Sequence, residues 1–414
     1  MRQLIAIIKN TCLQTMRQPI YGLIVVVTLG GLALLPSLTG WSLDDDNKML
    51  RDMGLSTLLM QGLFLAVFAA GSVIDAEIED KTVLTVAAKP VSRMTFILGK
   101  FGGVMLAVSA AHYLATIAYL MTMRHGVMQS ASDTLDIPVL VFGVGLMLLA
   151  MIAAAVLNYL YDRRFLPTVV TLALPALTFG GIALLLIDKE WKFGGYVTKQ
   201  SLEKIPADVA AWGDRKGPDS PLKGIIDIWP KPGNAIIVGH DVWLVRSNFK
   251  GPINDDDQQY LLNLSPSQHW KKEVNFLVQE CRKEQGPELV KAAILILLAL
   301  TVLAALAIAC STRLGMMATL LIAILVLWIG LSADQVFKPW AEGLGSTGVS
   351  PVQRFAAVLY PLLPNFQFFW MIDALSEERV IPWSFVAQAA LYAALYAGAL
   401  LAAGMALFET REVG

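Results

Sequence analysis

The residues of this chain able to do chemistry gather in one short stretch. Asp75, Glu77, Glu79, Asp80, Lys81 and Thr82 are followed by the apolar run Val83 to Ala88, then by Lys89, Pro90, Ser92 and Arg93. Charges of both signs bracketing a short apolar segment suit ion pairing with another macromolecule; they bring no nucleophile next to a base and no acid opposite a base. Thr82 to Ala88 is expected to form a short helix, ended by Pro90, with Ser92 capping the long helix that follows. Two readings stay open from the residues alone: an element that docks into a groove on a soluble partner, or a surface loop with ordinary charges.

Elsewhere the candidates are sparse. His112, in Ala111-His112-Tyr113, lies inside an apolar run. A polar residue there is a functional candidate by default, and the competing reading is a histidine hydrogen-bonded to a neighbouring helix. His240, His269, Cys281 and the run Asp255 to Asp257 share one polar region, but no C-x-x-C, H-x-x-x-H or calcium-loop spacing joins them. No metal site is expected. Gly99-Lys100 is followed by Phe101, with no glycine at the spacing of a phosphate-binding loop, so the chain is expected to bind no nucleotide and no cofactor of its own. No G-x-S-x-G elbow, H-E-x-x-H or kinase signature is present. The chain is therefore not read as an enzyme. Ionisable residues within the apolar runs are few, which argues against a proton-relay transporter.

The elements that must position these residues are membrane spans. Of 414 residues 56% are apolar and only 16% charged, too few charges to cover a soluble surface of this size. A net charge of -1 excludes a bulk basic field for nucleic acid, and no nucleic-acid partner is expected. A span needs about 20 apolar residues, and in lipid each must be a helix. Eight candidates run from about Ile20 to Leu38, Ser56 to Ile74, Ile97 to Thr122, Pro138 to Tyr161, Leu166 to Ile187, Leu289 to Cys310, Leu314 to Leu331 and Ser384 to Phe408. The fourth and fifth, and the sixth and seventh, are separated by so few residues that each pair must be a tight helical hairpin. Gly102-Gly103, Gly143, Gly145 and Gly180-Gly181 read as close-packing positions between helices, not as a pore lining.

Lysines and arginines in the short loops set the orientation. Placing the amino terminus inside puts Arg2, Lys9, Arg17, the 75–96 loop, Arg163, Arg164, Arg313 and Arg411 in the cytoplasm. Both termini are then cytoplasmic. Residues 1–19 read as an amphipathic helix on the inner surface, or as an ordinary tail. Residues 188–288 change to a soluble composition on the outer side. There, 235–238 and 242–245 read as two short strands about a turn, and Gln268 to Glu284 as a capped helix. The fold class expected is an all-α polytopic membrane protein of about eight transmembrane helices with a small α+β extracytoplasmic insertion. Residues 20–187 hold five spans, and 289–414 hold three with an outer segment at 332–383. Whether Phe355 to Met371 enters the membrane is open. With Cys281 alone outside, no disulfide is expected in the insertion.

The order acidic-x-acidic-acidic-Lys-Thr (Glu77 to Thr82), Lys-Pro-Val-Ser-Arg (Lys89 to Arg93) and Gly99-Lys100 entering a span resembles the first cytoplasmic loop of ABC-2-type ABC transporter permeases. The similarity is greatest to the branch associated with multi-copper-enzyme maturation. The amphipathic amino terminus resembles the elbow helix of that family. Leu362-Leu-Pro-Asn-Phe366 before the last span and the ending Phe408-Glu-Thr-Arg411-Glu412 are also similar to it. The resemblance implies the membrane subunit of an exporter in a bacterial inner membrane. It implies a cytoplasmic ABC ATPase subunit as partner, carrying the ATP and Mg, and a homodimer or second permease subunit. It makes residues 75–93 the coupling element. Eight spans and an outer segment of about one hundred residues depart from the usual six-span permease. A membrane-anchored scaffold or sensor, whose outer region binds a partner without transport, is the alternative.

Overall fold

The computed structural model describes residues 2–39, 46–79, 92–127, 135–187, 191, 235–238, 242–245, 286–338, 351, 354, 360, 363–376 and 381–409. A first helix, α1 (Arg2–Met16), is followed after Arg17 and Gln18 by α2 (Pro19–Thr39) and then α3 (Asp46–Glu79). Next come α4 (Arg93–His125) and a helix beginning as α5 (Ile137–Leu140), passing through the π-helical turn Val141–Gly145 and continuing as α6 (Leu146–Tyr161). The chain goes on with α7 (Phe165–Leu186), α8 (Gly286–Ser311), α9 (Met316–Leu331), α10 (Ile372–Ser376) and α11 (Trp383–Glu409). Among the described residues seven helices are long and apolar enough to cross a membrane, and α9 is a shorter apolar helix of 16 residues. The protein is a multi-pass helical membrane protein.

Three helices form the centre. α3, α4 and α8 pack on one another, and their mutual faces hold Leu58, Ala66, Ala111, Leu295, Leu300 and Leu303, all fully buried. α2 lies on α3 and α4, α7 on α4, α6 on α7, α9 on α3 and α8, and α11 on α8. Close approach depends on residues without bulk. A methyl group at Gly62 would stand 2.0 Å from a Leu300 methyl, and one at Gly404 3.0 Å from the Ala309 backbone. Without a hydrophobic drive between helices in lipid, dispersion contacts over such small residues hold the bundle together. Outward faces stay apolar, with Val26 and Val27 on α2, Ile152 on α6, Leu321 and Trp328 on α9 and Leu395 on α11 all more than half exposed. This surface is the lipid contact.

α3 and α4 are longer than the apolar runs inside them. At 34 and 33 residues they measure about 50 Å against a hydrocarbon core of about 30 Å. The acidic stretch through Glu79 is a direct helical continuation of the second span, rather than a separate exit from it. Both expected hairpins are present. Asp162, with φ of 54°, ends α6 in the left-handed conformation, and α7 starts at Phe165. After α8 the turn runs to Gly315, so α9 begins two residues later than the apolar pattern predicts.

Of the expected insertion the described residues hold one hairpin. Ala235–Val238 pairs antiparallel with Val242–Val245, the two strands read from the sequence. No helix is described between Leu186 and Gly286, and the Gln268 to Glu284 segment lies outside the described residues. An α+β domain is thus not supported there; only the hairpin is.

Candidate functional site

α1 is clamped along the first turns of α4. Thr11, Cys12, Thr15 and Met16 of α1 are buried, while Arg2, Lys9 and Arg17 at its ends and outer side are exposed. The seam is cut by three glycines of α4. A Cβ at Gly99 would lie 2.5 Å from Ile7, at Gly102 3.1 Å from Ile8, and at Gly103 2.4 Å from Thr11 and 2.8 Å from the Ile8 carbonyl. Gly102 and Gly103 are thus packing positions, as is Gly180, whose Cβ would stand 2.9 Å from the Phe142 carbonyl. Gly145 and Gly181 meet only ordinary contacts. Burial pushes the Cys12 thiol above its ordinary value.

Beside this seam lie the two ends of the charged loop. Asp75, Glu77 and Glu79 belong to the last turns of α3, and Arg93 is the first residue of α4. Ser92 caps α4 as its residue type predicts, its Oγ accepting from the Thr95 amide at 3.1 Å. Asp80, Lys81, Thr82, Lys89 and Pro90 lie outside the described residues, as does the expected Thr82 to Ala88 helix. The loop therefore joins two central helices, and α1 grips one of them. Gln18, between α1 and α2, donates through Nε2 to Ser72 Oγ of α3 at 2.6 Å, holding the other.

His112 is buried between α4 and α8, its Nε2 2.9 Å from the Ala293 carbonyl. A carbonyl only accepts, so Nε2 carries the proton. The histidine is hydrogen-bonded to a neighbouring helix, the second of the two readings its sequence position allowed. One turn away in space, Gln61 of α3 donates through Nε2 to the Ala111 carbonyl at 3.3 Å. Sequence reasoning passed over Gln61, whose single amide in the run Ser56 to Ile74 was the available signal.

The opposite end of the bundle is tied by charges whose partners sequence reading did not supply. Arg124 Nε donates to Asp136 Oδ2 at 3.3 Å, with Asp136 fully buried. The same guanidinium donates to the carbonyls of Leu184 and, at 2.8 Å, of Ile187, where α7 ends. Asp136 also accepts from the Val139 amide as the cap of α5. On α8, Lys291 Nζ bonds Glu288 at 2.6 Å and the Ile381 carbonyl at 2.9 Å, while Glu288 Oε2 accepts the Ile381 amide at 2.9 Å. That pair grips both main-chain polar groups of one residue, Ile381, at the entry to α11. Arg51 of α3 holds the Leu375 carbonyl at 2.7 Å.

The Leu-Pro stretch before the last span wedges between helices. The Pro364 carbonyl and the Phe366 ring occupy the space where Gly330 of α9 lacks a side chain. Phe366 to Phe369 form a 3-10 turn, and its Phe368 and Phe369 rings pack at a tilt against Phe385 and Tyr392 of α11. Asn365 donates to Asp334 at 3.0 Å, and Tyr360 donates to the same carboxylate at 2.7 Å. Tyr392 lies nine residues into α11, about 13 Å along its axis, so the turn lies alongside the helices rather than beyond their ends.

Chemically, these arrangements anchor helices. Among the described residues no three His, Cys, Asp or Glu converge as metal ligands. Cys12 and Cys310 are free thiols. No family model, no curated protein and no solved structure matches the chain.

Proposed function

We propose that this chain is the membrane-spanning permease subunit of an ATP-driven ABC transporter, an exporter of ABC-2 type. It would sit in a bacterial inner membrane with both termini cytoplasmic. The reading rests on the sequence resemblance of residues 75–93, and one structural observation supports it: the charged loop joins α3 and α4, two of the three helices at the centre of the bundle. A partner that displaces this loop acts on both at once. α1, locked to α4 over Gly99, Gly102 and Gly103, moves with it. A force applied at the loop therefore reaches the centre through rigid helices about 50 Å long, the kind of two-state rearrangement that binding energy can bias. ATP and Mg belong to the cytoplasmic ATPase subunit, and a second permease, identical or not, completes the transporter.

The experiment is co-purification. An ATPase subunit encoded beside this chain is expected to be captured by the wild type. It should be lost when Glu79, Asp80 and Arg93 are reversed together (Glu79→Lys, Asp80→Lys, Arg93→Glu), with the triple variant still inserted and monodisperse. Capture surviving the triple reversal overturns the coupling assignment. Absence of any nucleotide-hydrolysing partner in a mild-detergent purification favours the scaffold instead.

A further inference from the structure

Two helices that begin at one face of the bundle carry arginines just ahead of their first turns. α2 starts at Pro19, preceded by Arg17 and Gln18, and α7 starts at Phe165, preceded by Arg163 and Arg164. These starts stand side by side. Leu166 of α7 fills the space beside Gly22 of α2, where a Cβ would lie 2.5 Å from a Leu166 methyl. α1, which delivers Arg17, packs on α7 as well. Arginines from two distant stretches of the chain therefore meet at one rim. All three are exposed, and among the described residues none has a carboxylate within ion-pair distance. The hairpin that presents two of them is held by its own main chain. Asp162 is left-handed, the Arg163 amide donates to the Leu157 carbonyl, and Asn158 Nδ2 donates to the Arg163 carbonyl. α6 sets the depth of this rim. The apolar face it exposes at Ile152 and Val156 runs up to Tyr159 and Tyr161, which are 88% and 69% exposed. Tyrosine joins an apolar ring to a hydroxyl and settles at headgroup level. Arg163 and Arg164 follow directly, so they stand among the headgroups rather than in hydrocarbon. There the phosphate oxygens of lipids accept from guanidinium forks. A zwitterionic headgroup brings its own cation to that encounter; an anionic one brings none.

We propose that Arg17, Arg163 and Arg164 form a binding site for the phosphodiester headgroup of an anionic phospholipid, with Tyr159 and Tyr161 holding the hairpin at headgroup depth. One such lipid bridges the starts of α2 and α7 and ties the corner between α1 and α2 to the α6–α7 hairpin. The site rests on the geometry of this rim and not on the transporter reading.

The test presents the full chain in detergent micelles with equal amounts of phosphatidylglycerol and phosphatidylcholine, and reads the retained lipids by native mass spectrometry. The parent is expected to retain phosphatidylglycerol at least about fivefold over phosphatidylcholine, the factor that one cation near a membrane surface supplies. R163Q/R164Q, and separately R17Q, should lower that preference, and R163K/R164K, which keeps the charges, should hold most of it. R2Q/K9Q removes two charges from α1 and should leave the preference unchanged. No preference in the parent, a preference surviving R163Q/R164Q or R17Q, or an equal loss in R2Q/K9Q each overturns the site. Survival of the preference in R163Q/R164Q together with lost capture of a cytoplasmic protein would assign these arginines to a protein contact instead. Displacement of the lipid by an equal concentration of inorganic phosphate overturns the lipid assignment in favour of a free anion.

Discussion

At Arg124 one guanidinium serves three acceptors drawn from two other elements: the Asp136 carboxylate and the last carbonyls of α7. Those carbonyls have no intrahelical partner, and a cation at a helix carboxyl end also meets the favourable end of its dipole. Because Asp136 is fully buried, Arg124→Ala would strand a carboxylate and is expected to cost about 3–5 kcal/mol. Asp136→Asn should cost less, since asparagine keeps the cap on α5. Thermal unfolding in detergent ranks the two, and an Arg124→Ala protein melting with the wild type would mean that the pair is solvated. Cys12 offers a pH test at the same scale. Its folded-state value lies above the ordinary 9.0, so the folded chain holds the proton more tightly than the unfolded chain. The contribution is therefore complete below the ordinary value and is lost as pH rises from there through the higher folded-state value. Cys12→Ala is expected to melt with a shallower decline between pH 8 and pH 10 than the parent.

At the scale of elements, the seam between α1 and α4 carries the argument. Ile7, Ile8 and Thr11 reach the α4 backbone because Gly99, Gly102 and Gly103 present no side chain. At Gly102 the neighbour is the flexible end of Ile8, so Gly102→Ala is expected to be nearly silent. At Gly103 an added methyl faces the Ile8 carbonyl at 2.8 Å, and backbone cannot step aside. Gly103→Val should lift α1, at a cost of about 1–3 kcal/mol for overpacking. The readout is alkylation of Cys12, slow in the parent because the thiol is buried and protonated and faster once α1 is displaced. Equal rates in the parent and Gly103→Val would show that α1 does not depend on this seam. Much of this was legible in advance. The amphipathic spacing of residues 1–19, the Gly102-Gly103 pair, the Ser92 cap and both tight hairpins follow from local residue types. The polar ties at the far end were not, because they pair residues far apart in sequence. Nothing local in Arg51 names Leu375, and nothing in Arg124 names Leu184. Nothing local in Glu288 and Lys291 names the Ile381 main chain on which the pair closes.

For the whole molecule, the open quantity is the parity of crossings, which decides where the chain ends. Hydropathy gives eight runs and the bundle seven helices of span length, the difference being α9, whose 16 residues measure about 24 Å. The packing favours the larger count. Met316, at the start of α9, fills the space at Gly71 near the end of α3 that also meets Gln18. Gly330, near its other end, receives Pro364 and Phe366, and Asp334 just beyond receives Asn365. α9 therefore runs from the α1 end of the bundle to the opposite end. Beyond Ser332 the π-helical turn Ala333–Phe337 follows α9 and lengthens it toward a hydrocarbon core of about 30 Å. In the topology proposed above, eight crossings return the carboxyl terminus to the side of the amino terminus. In a cysteine-free background, single cysteines at Arg163 and Arg313 should react with a membrane-impermeant maleimide only after the vesicles are opened. Cysteines at His125 and Lys338 should react in sealed right-side-out vesicles. Labelling at Lys338 only after opening would mean that α9 turns back inside the bilayer. The count would then be seven, and the two termini would lie on opposite sides of the membrane.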